Sequence, residues 1–271
     1  MRHSIVRLVL LVSTLASVSC ANDRPVWASQ GAQDDPSRLK RAGELERSGK
    51  YNEAIDIYGD LAGKEGPAAV ASRRGLLRTL AEVGKYAEAE EAGKRFVGGA
   101  AGAELQNALG EVLRLRGKVT EAEGAFRAAM AGRASDSLTA RLNLDVLRFD
   151  RGDHADALRD LDGFIDVYNE RKRTLTSNEL MAIGTAVRYL GETNAQLFKD
   201  ALKAFDEAYA RDTTNYEAQL RAVELFLEKY NSADAKQGVA AVLAKNPRHP
   251  RALLASARIA SFDGSGSAGE I

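Results

Sequence analysis

The sequence predicts an all-α fold, a solenoid of about six helix pairs followed by one terminal unpaired helix. Three observations lead there. Of the 271 residues, 46 are alanine, the strongest helix former. Proline falls only at 25, 36, 67, 247 and 250, which leaves 68–246 free of it. Third, a short motif recurs at a nearly constant spacing, the signature of an array and not of a single closed core.

The chain opens on a segment that reads as an address. Arg2, His3 and Arg7 precede an apolar run over 8–18, and small residues follow at Ser17, Ser19 and Ala21. Such a run is shorter than the roughly 20 residues a membrane-spanning helix needs, so 1–19 reads as an export signal. Cys20, the only cysteine, sits where cleavage would expose it. This resembles the lipobox of bacterial lipoproteins, in which the thiol is acylated and becomes the first mature residue. The resemblance implies a lipid anchor at Cys20 and, with Ala21 and not Asp next to it, an outer-membrane address. Here Ser17 stands where that family has Leu or another aliphatic, and cleavage after Ala21 is the alternative. Residues 20–35 are polar and without helical period, a tether.

The array occupies 36–264. Gly49-Lys50-Tyr51-x-x-Ala54, Gly84-Lys85-Tyr86-x-x-Ala89, Gly117-Lys118-Val119-x-x-Ala122 and Gly152-Asp153-His154-x-x-Ala157 follow one another at spacings of 35, 33 and 35. The glycine suits the left-handed conformation that ends a helix, and the alanine lets the next helix approach closely. Amphipathic stretches lie on either side, such as Leu109, Gly110 and Leu113 before the turn and Ala122, Phe126 and Ala129 after it. Ala201, Phe205 and Ala208 mark a fifth second helix; Phe226, Ala235, Val239, Val242 and Pro247 complete a sixth unit. Ala157 and Ala201 are 44 apart, so the fifth unit carries about ten extra residues, divided between 168–177 and the turn 192–195. A last first-type helix covers 251–261, and 265–271 is a tail or the start of a further helix.

These residues resemble the tetratricopeptide repeat, whose first helix carries a small residue between large apolar ones, followed by Gly, an aromatic, Ala, an aromatic and a closing Pro. The resemblance implies a right-handed superhelix with a concave surface lined by the first helices of the pairs, and protein or peptide partners. In length and layout the chain is similar to six-repeat envelope lipoproteins that assist assembly of outer-membrane complexes.

Charge and composition exclude several functions. Thirty-eight basic and 38 acidic side chains give no global field to hold nucleic acid or an anionic membrane. One Cys and three His build neither a disulfide framework nor a four-ligand zinc site. No HExxH, GxGxxG or GxSxG is present, and no Gly-Lys pair is followed by Ser or Thr. His154 takes the place of Tyr51 and Tyr86 and reads as a packing residue; His249, between Pro247 and Pro250, reads as a solvated turn residue. The basic run Arg171-Lys172-Arg173 reads as solvating, with phosphate contact as the alternative. In the fourth unit Asp145 holds the small-residue position and Arg148 the apolar position three further on. They either pair at i, i+3 or, on the simpler reading, turn together towards water.

Carrying over the concave positions of the repeat gives Arg74 and Arg78 in unit two, Asn107, Glu111 and Arg114 in unit three, Leu142, Val146 and Phe149 in unit four, and Leu220, Glu224 and Leu227 in unit six. Such a face would run from basic through mixed to apolar, suiting an extended peptide with an acidic end and an apolar anchor. Alternatively, some of the apolar members pack against the second helices or a neighbouring subunit. The expected function is a non-enzymatic interaction scaffold of the bacterial cell envelope, with no cofactor, metal or nucleic acid, and with membrane contact only through lipid at Cys20. A rival expectation is the amino-terminal part of a larger exported enzyme, because the stretches over 225–235 and 246–260 resemble long bacterial repeat proteins, some of which continue into a zinc metallopeptidase.

Overall fold

The computed structural model describes residues 34–98, 102–131, 137–191, 194 and 196–264. Cys20 and the address segment lie outside them. The described residues form thirteen α-helices and no strand: α1 (Asp35–Arg47), α2 (Tyr51–Ala62), α3 (Pro67–Glu82), α4 (Tyr86–Phe96), α5 (Gly102–Leu115), α6 (Val119–Ala131), α7 (Ser137–Asp150), α8 (His154–Arg171), α9 (Ser177–Leu190), α10 (Gln196–Arg211), α11 (Tyr216–Glu228), α12 (Ser232–Leu243) and α13 (Pro250–Phe262). Odd-numbered helices are the first members of the pairs, A helices, and even-numbered ones the second, B helices; α13 is an A helix with no B helix after it among the described residues. None of the described helices is long and apolar enough to cross a membrane.

The motif glycines act as the sequence requires. Gly49, Gly84, Gly117 and Gly152 have φ of 76°, 79°, 72° and 102°. In each case the next amide closes back over the helix end, as in Lys85 N to Leu80 O at 2.8 Å and Lys118 N to Leu113 O at 2.9 Å, the bond of a left-handed C-terminal cap. The sixth unit closes the same way without a glycine: Tyr230 takes φ 56°, and Asn231 N reaches Phe226 O at 2.9 Å.

Within the pairs, small residues meet large ones. Ala54, Ala89, Ala122, Ala157, Ala201 and Ala235 are fully buried, so each B helix lies close to its neighbours. A Cβ on Gly110 of α5 would stand 2.5 Å from the Phe126 ring of α6. In unit two the volumes are exchanged: Leu77 holds the A-helix position, and Gly93 of α4 leaves room for it and for Leu109. Total volume is kept while its distribution changes, which a close-packed interior tolerates.

Each A helix packs against the next A helix, whereas no such packing joins successive B helices among the described residues. The A helices therefore form the inside of the curve. Part of the extra length of unit five extends α8 to 18 residues. The capping box of Thr176 and Glu179 then starts α9. The basic run is exposed; within it Arg171 ends α8 and pairs with Glu179 at 3.0 Å, and Lys172 lies 5.6 Å over the Tyr168 ring. His154 stacks on Phe149 at 4.4 Å.

Helix α7 joins two apolar clusters, giving Leu144 and Leu147 to the first and Leu138 and Leu142 to the second. Asp145 lies between them and is only 3% exposed. The simpler expectation, that it turns to water with Arg148, does not describe it. Apolar side chains on both flanks fix the rotation of α7, so the carboxylate is carried inside.

Candidate partner-binding face

The inner face is assembled from the polar positions of the A helices. On α3, Arg78 gives a forked hydrogen bond to Glu46 of α1, at 2.7 and 2.6 Å. Tyr58 OH donates to the same carboxylate at 2.9 Å. Burial pushes the Glu46 carboxyl up, but the Arg78 charge and these hydrogen bonds outweigh it and hold it below its usual range. The Arg78 side chain stays 63% exposed while Glu111 adds to its positive character from α5, so it projects into an open space ringed by A helices.

The next units continue this polar strip. Asn143 of α7 donates to Asn107 Oδ1 at 3.0 Å and to Glu111 Oε1 at 2.9 Å, both on α5. Arg114, one turn beyond Glu111, is exposed. Towards the C-terminal end, Arg251 of α13 bridges Glu217 and Glu224 of α11. Arg221 also binds Glu217, at 2.9 Å, and Arg188 of α9 pairs with Glu228. Burial raises the Glu217 carboxyl, but Arg221 and Arg251 outweigh it and bring it to about 2.

These two stretches face one another. Glu111 is pushed up by burial and also by Glu217, and Glu82 of α3 is pushed up by burial and then by Glu217. The inner surface has thus curled until α3 and α5 stand opposite α11.

Of the residues expected on the concave face, Arg78, Asn107, Glu111, Arg114 and Glu224 belong to this polar strip. Arg74 is half-buried on α3. Leu142 and Leu220, at 5% and 2% exposure, are core residues instead; Leu220 packs with Val242 and Ala252 in the seam between α11, α12 and α13. Burying a leucine gains about 2 kcal/mol, so the seam takes these side chains and the groove does not. Val146 and Leu227 are half-buried against the apolar clusters, and Phe149 is held between His154 and Tyr189. The apolar end of the expected gradient is therefore packing. Glu46 and Arg188, missed in the sequence, occupy the repeat position of Arg114, and extending the carry-over to units one and five would have found them. His249 is not a solvated turn residue: its Nδ1 lies 3.5 Å from Glu82 Oε1, and the side chain is 12% exposed.

Nothing in this arrangement resembles a nucleophile with its base, and among the described residues no group of three or more His, Cys, Asp or Glu is placed to hold a metal ion.

Among solved structures the chain is similar to a tetratricopeptide repeat protein from Parabacteroides merdae, at 11% identity over 86% of this chain and 88% of that one, with a TM-score of 0.46. It is also similar to the TPR-like repeats of a Podosopora anserina kinesin light chain protein, at 16% identity over 66% and 96%, TM-score 0.44. A third neighbour is YrrB, described as a TPR protein with an unusual peptide-binding site, at 16% identity over 76% and 97%, TM-score 0.36. Similarity this low says nothing of what the present chain binds. No curated protein matches it in sequence. Residues 195–259 match the family model of the Tetratricopeptide repeat. With that match over its C-terminal units and the same two-helix unit repeated from α1 onwards, the chain has the fold of a tetratricopeptide repeat solenoid.

Proposed function

We propose that the chain is a non-enzymatic interaction scaffold of the bacterial cell envelope that binds a protein partner through the polar inner face of its A helices. One observation carries the reading: the inner face holds charge that is only partly compensated. Arg114 has no carboxylate within ion-pair distance among the described residues, and the buried Oε1 of Glu82 accepts no hydrogen bond. Surfaces of this kind gain from a partner segment with charges of both signs, and charge complementarity sets specificity and register. Leu142 and Leu220 are absorbed into the core, and Val146, Phe149 and Leu227 are half-buried, so a charged, polar segment fits better than a peptide with an apolar anchor. The basic and apolar run before Cys20 supports export, and Cys20 itself supports a lipid anchor at the outer membrane.

The test is co-purification from the native envelope with the wild-type chain and with Arg114→Glu. Arg114 is exposed, but its charge helps hold down the Glu111 carboxyl one turn away, so helical circular dichroism of the variant is compared with that of the wild type. A salt-sensitive partner retained by the wild type and lost by Arg114→Glu is expected. A partner set unaffected by the reversal overturns the inner-face assignment. Intact mass of the mature protein shows whether Cys20 carries lipid.

A further inference from the structure

The first and last units meet. Asn246, in the turn between α12 and α13, is 2% exposed although it lies in an inter-repeat turn. Its Nδ2 donates to Tyr51 OH at 2.9 Å, 195 residues away in sequence, and points to Glu46 O at 3.5 Å. Its Oδ1 accepts from Arg248 N at 3.1 Å, which fixes the turn in the shape that presents the amide. The opposing surface fits closely. A Cβ at Gly49 would collide with Asn246 Oδ1 and stand 3.1 Å from Arg248 Cβ. Beside this contact His249 faces Glu82 of α3. Both the start of α2 and the end of α3 therefore receive the same turn.

This contact differs in kind from every other joint of the array. Consecutive units are joined by apolar clusters: one extends from Ala42 to Leu147, and two smaller ones lie between Tyr216 and Ile259. No apolar cluster among the described residues contains members of both α1–α4 and α11–α13. The closure rests on a few polar contacts, and a single hydrogen bond contributes little to net stability because it replaces one to water. Like charge also opposes it, since Glu82 and Glu217 approach from opposite sides; Arg251 offsets this only in part.

We infer that the 246–249 turn is a latch that holds the superhelix shut over its inner face, so that the free chain keeps its binding face closed and a partner must release the turn to reach it. The latch rests on the reading of the inner face as the binding face, but its test involves no partner, so the two can fail separately. A ligand shifts such an equilibrium only by its preference for one state, and a turn held by few polar groups leaves that preference small enough to be met. The latch is also economical in sequence: Tyr51 is the aromatic of the first repeat motif, and in the second unit its counterpart Tyr86 remains exposed.

The test uses the full chain with Cys20 replaced by Ser and spin labels on cysteines introduced at Glu53 and Gln237, both exposed on B helices. Pulsed dipolar spectroscopy of this protein is expected to give one short, narrow distance distribution. Asn246→Ala and Tyr51→Phe should each move it to longer distances and broaden it, with helical circular dichroism unchanged. If Asn246→Ala loses helicity, Tyr51→Phe, which removes a single oxygen, decides. A long or broad distribution in the labelled parent, or an unchanged one in Tyr51→Phe, overturns the latch.

Discussion

Asp145 Oδ1 stands 3.6 Å from Nη1 of Arg148, yet that guanidinium gives its hydrogen bond to Asp160 instead, at 2.6 Å. Arg141 lies on the other side at 3.8 Å, and Asp145 Oδ2 accepts no hydrogen bond among the described residues. Two nearby cations do not make up for lost water: burial, with the Asp160 charge, pushes the carboxyl up to about 6 from an ordinary 3.8. The folded state therefore holds a proton that the unfolded chain releases. Its stabilising effect is complete below about 3.8 and is lost as pH rises through about 6. Asp145→Asn should raise stability at pH 7 by up to about 3 kcal/mol, from the size of that shift, and change it little at pH 4. Urea unfolding of both proteins at the two pH values checks this; equal differences at both would show that the carboxylate is not titrating in this range.

A helix interior holds two kinds of glycine here. Gly110 faces the Phe126 ring, leaving a Cβ at 2.5 Å with nowhere to go, whereas Gly59 of α2 has open space around it. Gly110→Ala should cost about 1–3 kcal/mol, because overpacking outweighs the gain in helix propensity. Gly59→Ala should instead stabilise by about 0.5–1 kcal/mol. Thermal unfolding of the pair is a direct comparison, since the chemical change is the same and only the surroundings differ.

Tyr230 occupies a cap position where the first four units use glycine. Its φ of 56° places a Cβ in the left-handed region, at a cost of about 1–2 kcal/mol. The side chain recovers little of this, being 78% exposed with only a tilted contact to Phe262 at 5.8 Å. Tyr230→Gly should raise the stability of the C-terminal units by about 1 kcal/mol. Hydrogen exchange in α11 and α12 is the appropriate measurement, because an array opens locally. Faster exchange there would mean that the Tyr230 ring matters more than its backbone.

The helices were legible because each repeat states its own turn. Gly84 and Gly117 are read locally, and the bonds that they permit, such as Lys118 N to Leu113 O, span only a few residues. The polar part of the inner face, Arg78, Asn107, Glu111, Arg114 and Glu224, was legible through register. Leu142 and Leu220 were not, since register gives a direction while the seam between units decides what is covered. Asp145 was legible as an anomaly, but its burial was not: that depends on Leu142 and Leu144 being drawn to opposite clusters. The contact of Asn246 with Tyr51 joins the two ends of the array, and neither residue carries a local signal for it. It follows from the summed rotation of six units.

Glu90 of α4 is 5% exposed, hidden not by core residues but by its own counter-ions. Lys94 and Lys118 each reach it at 2.6 Å, and Arg116 at 2.5 Å. Because Lys118 and Arg116 belong to the turn after α5, the cluster ties unit two to unit three. Hydrogen bonds from Lys118 and Lys94 bring the carboxyl down to about 2 from an ordinary 4.5. The unfolded state then takes up the proton first: stability from Glu90 is present above about 4.5 and lost as pH falls through about 2. The three cations are 33–51% exposed, so screening reduces the contribution to about 1–2 kcal/mol. Glu90→Gln should therefore unfold at lower urea than the wild type at pH 7. The difference should shrink in 1 M salt, where the screening length falls to about 3 Å, and vanish near pH 2. A difference that persists at pH 2 would assign the effect to packing of the side chain and not to its charge.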